Sequence, residues 1–206
     1  MLAENHITSS CVIEQETVFK NSSLLFANKG SDLAEFLLSI YQHFQLNYPK
    51  FYKMDNLSKL GWLASEVLLK DNYQKDQYQP ELVGLVLANR NSSLDNDIRY
   101  FESAKEIASP SLFVYTLPNI VIGEICIRNN FKGEHAFYIQ DSFDADFIAG
   151  QVNYLFDNNI LKACICGWVD VLGKDYKAAL YLVEKRPTDK SMPFSIKNIN
   201  SIFETI

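Results

Sequence analysis

Ser142 is the residue of this sequence best placed to act as a nucleophile. It follows the apolar run Ala136-Phe137-Tyr138-Ile139 and opens a helix-forming stretch that reaches Asp157. It therefore sits at a strand-to-helix elbow, where a side chain is exposed and backbone N–H groups can stabilise an oxyanion. The chemistry this would allow is acyl transfer or thioester hydrolysis. A serine nucleophile needs an adjacent base, and His135 is the only local candidate. Asp141, Asp144 and Asp146 surround the serine. Carboxylates there suit the helix dipole but oppose negative charge developing on a nearby oxygen. Serine is also among the best N-caps, so capping of the following helix explains Ser142 without any chemistry.

Cys164 and Cys166 form a C-x-C pair. Without a second pair or nearby histidine this is weak metal spacing. Residues two apart on a strand point to one face, so the pair reads as small core residues. No metal or cofactor is expected. Asp95 and Asp97 follow an apolar strand and read as a solvated helix start.

These residues need elements to hold them. Short apolar runs between Ile7 and Phe26 suggest strands. Leu33, Phe36, Leu37, Ile40, Tyr41 and Phe44 follow helical spacing from Asp32. Met54 to Lys70 is a second helix, and Asn72 to Pro80 a polar loop. The continuous run Leu82–Ala88 suits a strand covered on both faces. A helix is expected over Leu94–Lys105, a short extended piece over Leu112–Tyr115, and a helix over Ile120–Asn129 with Pro118 at its first position. Strands follow at Ala136–Ile139, Ala163–Val171 and Ala178–Glu184. Phe194 to Ile196 is an edge strand or ordered extension. In the Ser142–Asp157 helix the polar stripe is narrow, which predicts burial on most sides, with Gly150 packed closely against a neighbour. Strands alternating with helices imply βαβ units and a largely parallel sheet.

The chain has 206 residues, 48% of them hydrophobic. That is one domain with a substantial core. The net charge of −6 argues against non-specific nucleic-acid binding. No apolar run reaches the roughly 18 residues of a membrane span. The first ten residues lack a signal peptide's basic start and apolar stretch. The expected location is the cytoplasm, with the four cysteines reduced.

Several separated pieces share one resemblance. Lys53-Met54-Asp55 with Lys59-Leu60-Gly61, the strand and loop Val83–Ser93, the helix start Leu117-Pro118-Asn119, the turn glycine Gly133, and Ala163-Cys164-Ile165-Cys166-Gly167-Trp168 fall in one order. Together they resemble the N-terminal half of the β-ketoacyl synthases, over about residues 50–185. The resemblance is nearest to the ketosynthase-like chain-length factors found beside aryl-polyene pathways. It implies an α/β thiolase-like fold, with a mixed, mostly parallel sheet flanked by helices, as a single domain over 1–206.

Counting on from Gly133, the family's catalytic cysteine falls at Ser142, with Asp141, Phe143 and Asp144 completing the elbow. The family's catalytic histidines and lysine lie in a second half that this sequence does not contain, and His6, His43 and His135 all precede the elbow. The resemblance thus implies a non-catalytic chain-length-factor-type subunit in fatty-acid, polyketide or aryl-polyene synthesis. Two other functions stay open: an acyltransferase or thioesterase using Ser142, and a homodimeric acyl-binding module. In the family the strand equivalent to Phe137-Tyr138-Ile139 pairs across a two-fold axis. The implied partners are a second copy or a ketosynthase, with acyl carrier protein as a third.

Overall fold

The computed structural model describes residues 5–74 and 76–204. Residues 1–4, part of the segment read for a signal peptide, lie outside it. The chain opens with three strands joined by two tight hairpins, β1 (His6–Glu14), β2 (Thr17–Lys20) and β3 (Ser23–Ala27). Gln15-Glu16 and Asn21-Ser22 hold positive φ at both central positions of their turns. That backbone matches the twist of antiparallel strands.

Helices α1 (Leu33–His43) and α2 (Asn56–Leu69) follow. Each starts on an aspartate: Asp32 accepts from the Glu35 N–H and Asp55 from the Ser58 N–H. The strand β4 (Val83–Asn89) is buried along its whole length. Next come α3 (Leu94–Ala104), α4 (Pro110–Val114), α5 (Ile120–Asn129), β5 (His135–Ile139) and α6 (Ala145–Asp157). The chain then runs through β6 (Ala163–Leu172), β7 (Asp175–Glu184), the two-residue β8 (Met192–Pro193) and α7 (Ile196–Phe203).

The sheet order is β3-β2-β1-β7-β6-β4-β5, with β8 on β1. The sheet is mixed and flanked by helices on both faces. Its parallel part is the core of the βα units, β5 and β6 on either side of β4. The pairings of β1, β2, β3, β7 and β8 are antiparallel, so the largely parallel sheet expected from alternation holds only around β4. One face carries α1, α2 and α5 over Leu85, Leu87, Ile165 and Val169. The other carries α6 and α7 over Val86, Ala88, Cys164, Cys166 and Tyr181. The alternation along β4 and β6 between these sets is the period-2 geometry of a strand buried on both faces.

Three expectations are corrected. Leu112–Tyr115 is not extended. Ser109 accepts from the Leu112 N–H and Pro110 opens α4, a pairing of cap and proline that starts a helix. Pro118 lies before the N-cap Asn119 rather than at the first helical position. After Met192–Pro193 the tail is helical, because Ser195 caps α7 and Ile199 and Ile202 face the core.

Candidate functional site

The elbow is built from the end of β5 and the start of α6. The Gln140 N–H donates to the Asn89 carbonyl at 2.8 Å, which continues the β4–β5 ladder one residue past the strand. Asp141 and Ser142 then form an exposed bend, Phe143 turns inward, and Asp144 caps α6 by accepting from the Phe147 N–H at 3.0 Å. The helix therefore begins three residues later than expected. Ser142 is not its cap, because the Asp144 carboxylate takes that role. Ser142 itself is exposed.

None of the three histidines stands beside Ser142. His135 opens β5 while Ser142 lies beyond its end, about 20 Å away at the rise of a strand. The His135 ring contacts the Gly133 carbonyl instead, at 3.3 Å. His6 belongs to β1, and His43 stacks on Phe26 with ring centroids 4.4 Å apart. Phe143 is the elbow residue with defined packing. Its ring stacks on Phe203 of α7 at 4.1 Å and 10°, and meets Trp168 edge-on at 6.1 Å.

Cys164 and Cys166 are fully buried on the α6 side of the sheet. Burial pushes both thiols up, which leaves them protonated and poor ligands or nucleophiles. Among the described residues no group of three His, Cys, Asp or Glu side chains could hold a metal ion. Asp95 and Asp97 are not simply solvated. Asp95 accepts from the Gly173 N–H and the Asn56 amide, and Asp97 from the Ser93 hydroxyl. Both pin the start of α3 to its neighbours.

Two buried carboxylates were not singled out by sequence. Glu124 of α5 accepts from the Tyr115 hydroxyl at 3.1 Å and pairs with Lys50 at 3.2 Å. Burial, and then Glu124, hold the Tyr115 phenol well above its usual range. Glu184, at the end of β7, accepts from the Tyr78 hydroxyl at 2.9 Å, from Gln77, and from the Thr8 hydroxyl. For Glu124 the available signal was a lone glutamate inside an otherwise apolar segment; Glu184, at a strand end before Lys185 and Arg186, carried none.

The strand read as a dimer contact, β5, lies at the end of the sheet, with β4 on one side and no strand of this chain on the other among the described residues. Phe137 packs into the core on the α5 side. Tyr138 faces α6, where its hydroxyl donates to Gln151 at 2.9 Å and its ring meets Phe147 at 4.8 Å. Ile139 is 53% exposed. Beside this edge a cleft of about 260 Å³ is lined by His135, Ala136, Tyr138, Gln151, Tyr154 and Ile160, among others.

Helix α6 is not sandwiched within the chain. Asp146, Gly150 and Tyr154, four residues apart, are exposed, and a Cβ on Gly150 would meet nothing within 4 Å. The expected close packing against Gly150 is absent among the described residues. The α3–α4 hairpin is turned inside out in the same sense. Its inner contacts are polar: Asn96 to the Leu112 carbonyl at 2.9 Å, and Ser93 to the Thr116 carbonyl at 2.8 Å. Ile98, Phe101, Ile107, Phe113 and Leu117 are half or more exposed.

The strand order, the βα units around β4 and the elbow between β5 and α6 define a ketosynthase-like α/β fold. No protein-family model matches the chain, and no curated protein does. Solved structures do. The ishigamide ketosynthase/chain length factor superposes with a TM-score of 0.66 over 88% of this chain and 62% of its own, at 17% identity. A type II polyketide ketosynthase in complex with its acyl-carrier protein, bound to the hexaketide, gives 0.62 over 90% and 64%, at 15% identity. The ketosynthase ApeO in complex with its chain length factor ApeC, from Xenorhabdus doucetiae, gives 0.57 over 88% and 79%, at 13% identity. This chain spans less than two thirds of the length of the first two. At these identities the likeness is one of fold. No helix among the described residues is long and apolar enough to cross a membrane.

Proposed function

We propose that the chain is a non-catalytic ketosynthase-like subunit of the chain-length-factor type. It pairs through the β5 edge and the outer face of α6 with another chain of the same fold, and shapes an acyl pocket in a carrier-protein-dependent pathway. The observation that carries this reading is the unfilled face around Gly150. A glycine inside a helix costs about 1 kcal/mol relative to alanine, and nothing among the described residues uses the space it leaves. A partner helix crossing there gives the glycine a reason. The free edge of β5 beside it is a template for a further strand. The exposed apolar residues of the α3–α4 hairpin supply more surface of the kind that partners bury. The elbow supports the non-catalytic part of the reading, since no histidine stands beside Ser142 and Asp144, not Ser142, caps α6.

The test is assembly. Native mass spectrometry and gel filtration are run on the chain alone and with the condensing enzyme expected beside it, followed by product-length analysis. A two-chain complex that Gly150→Arg abolishes, with a change in product length, is the expected result. A second copy in place of the condensing enzyme makes the assembly a homodimer. No association with either, or association that ignores Gly150→Arg, refutes the reading.

A further inference from the structure

We infer that the aromatic cleft beside Glu184 is a binding site for a small organic cation of the ammonium type. Pro80 precedes β4 and Phe131 precedes β5, so the cleft lies at the N-terminal ends of the parallel strands. The elbow lies at the other end of β5, and the site is independent of the subunit reading.

The cleft has a volume of about 460 Å³, and Tyr73, Tyr78 and Phe131 are its aromatic walls. Tyr73 meets Phe131 edge to face at 5.4 Å and 86°, and Tyr78 lies 6.4 Å from Tyr73 at 23°. The three rings therefore form a corner. Backbone hydrogen bonds fix these walls. The Tyr73 N–H donates to the Leu69 carbonyl at the end of α2, and the Phe131 N–H to the Cys126 carbonyl in the last turn of α5. Asn130, with a φ of 58°, makes the left-handed turn that ends α5. The faces of such rings attract cations.

The charge around the cleft has the matching sign. Among the described residues that line it, Asp76 is acidic and none is basic. Asn129, the last residue of α5, lines it as well, and a helix C-terminus favours positive charge. Behind the rings lies Glu184, 2% exposed. Its carboxylate accepts from the Tyr78 hydroxyl at 2.9 Å, the Gln77 amide at 3.3 Å and the Thr8 hydroxyl. All three donors are neutral, and among the described residues no basic side chain forms an ion pair with Glu184. A carboxylate held out of water without a cation is costly. A phenol that donates to a carboxylate also carries more negative charge in its ring, which strengthens the pull on a cation. Burial, and then Glu184, raise the phenols of both Tyr73 and Tyr78, so the carboxylate acts on both rings. The exposed Arg186 acts on Tyr78 too, but more weakly. An anion would meet like charge here, and a neutral ligand would leave the Glu184 charge unanswered. An ammonium satisfies both the rings and the carboxylate.

The probe is choline, with 3,3-dimethylbutan-1-ol as its uncharged isostere. Amide shifts of the full isotope-labelled chain are followed by NMR during titration with each. Saturable shifts at Tyr73, Tyr78, Asn129 and Phe131 are expected with choline, at about tenfold tighter affinity than with the alcohol. Glu184→Gln keeps an acceptor for Thr8 and Tyr78 but removes the charge. It should weaken choline about tenfold and leave the alcohol unchanged. Equal affinity for choline and the alcohol overturns the inference, as does saturation at other residues or none at all. A folded Glu184→Gln chain that binds choline as tightly as its parent overturns it too. So does binding that appears only in Lys75→Ala, because a lysine of the chain itself then holds the place. The comparison of choline with the alcohol uses the unmodified chain and stands even if a variant misfolds.

Discussion

Replacing Gly150 by alanine separates the packing inside this chain from packing against a partner. In the isolated chain the new methyl meets nothing within 4 Å, so only helix propensity changes. That is worth about 0.8–1 kcal/mol in favour of alanine. For a domain of this size it corresponds to a rise of roughly 2–4 °C in Tm. Gly61, in the middle of α2, is the internal control. A Cβ there would lie 2.4 Å from a methyl of Val121 and 3.2 Å from one of Val169. Overpacking of this kind costs about 1–3 kcal/mol, so Gly61→Ala moves Tm the other way. Urea denaturation at dilute, monomeric concentration measures both. The same Gly150→Ala chain should associate more weakly with its partner, because the methyl stands in the crossing. An isolated Gly150→Ala chain less stable than its parent would refute the reasoning, since it would mean that this chain already fills the space.

Other outcomes follow from the buried groups. Glu184→Leu removes the acceptor shared by Thr8, Tyr78 and Gln77 and should cost about 2–4 kcal/mol in urea denaturation, with Glu184→Gln costing less. Burial raises the phenols of Tyr73, to about 12, and of Tyr78 and Tyr115 further still. A folded-state value above the unfolded one near 10 means that the folded chain keeps its protons longer. These tyrosines therefore support folding below pH 10, and that support is lost as pH rises towards 12. Absorbance at 295 nm should show them ionising only as the chain unfolds. Cys11, Cys164 and Cys166 are buried with raised thiols. Iodoacetamide at pH 8 should leave all three unmodified in the native chain and label them in urea, as read by peptide mass spectrometry.

What the sequence disclosed depended on how local each cause was. β4, α1 and α2 were legible because their apolar spacing and their capping aspartates, Asp32 and Asp55, lie within the segments themselves. The tail helix was missed although Ser195 and the spacing of Ile196, Ile199 and Ile202 announce it, since the prolines before it drew the reading towards a strand. The helix start was misplaced by three residues because Ser142 and Asp144 can both cap, and only the tertiary course of Phe143 decides between them. The antiparallel part of the sheet was hidden by turns such as Gln15-Glu16, which reach positive φ without glycine. The carboxylate networks were out of reach for another reason. Glu184 meets Thr8 on the neighbouring strand 176 residues away in sequence, and Glu124 meets Lys50 across 74 residues. The orientation of α3, polar side inward, reversed the rule by which its buried face would have been chosen.

The two ends of the sheet differ, and the difference bears on how far assembly can grow. At one end lies β5, in the parallel core. At the other lies β3, a five-residue strand whose Leu24 and Leu25 are exposed and whose pairing with β2 shifts register at Val18/Phe19. Two chains joined β5 to β5 would form a closed pair that presents β3 and the two-residue β8 at each outer rim, and the pair could add no third member through β5. A β5-to-β3 contact would instead propagate, head to tail, into a fibre. The shortness and irregular register of β3 blunt that route. If assembly runs through β5 as proposed, the hairpins that begin the chain are its end-stop and leave it no easy route into a filament.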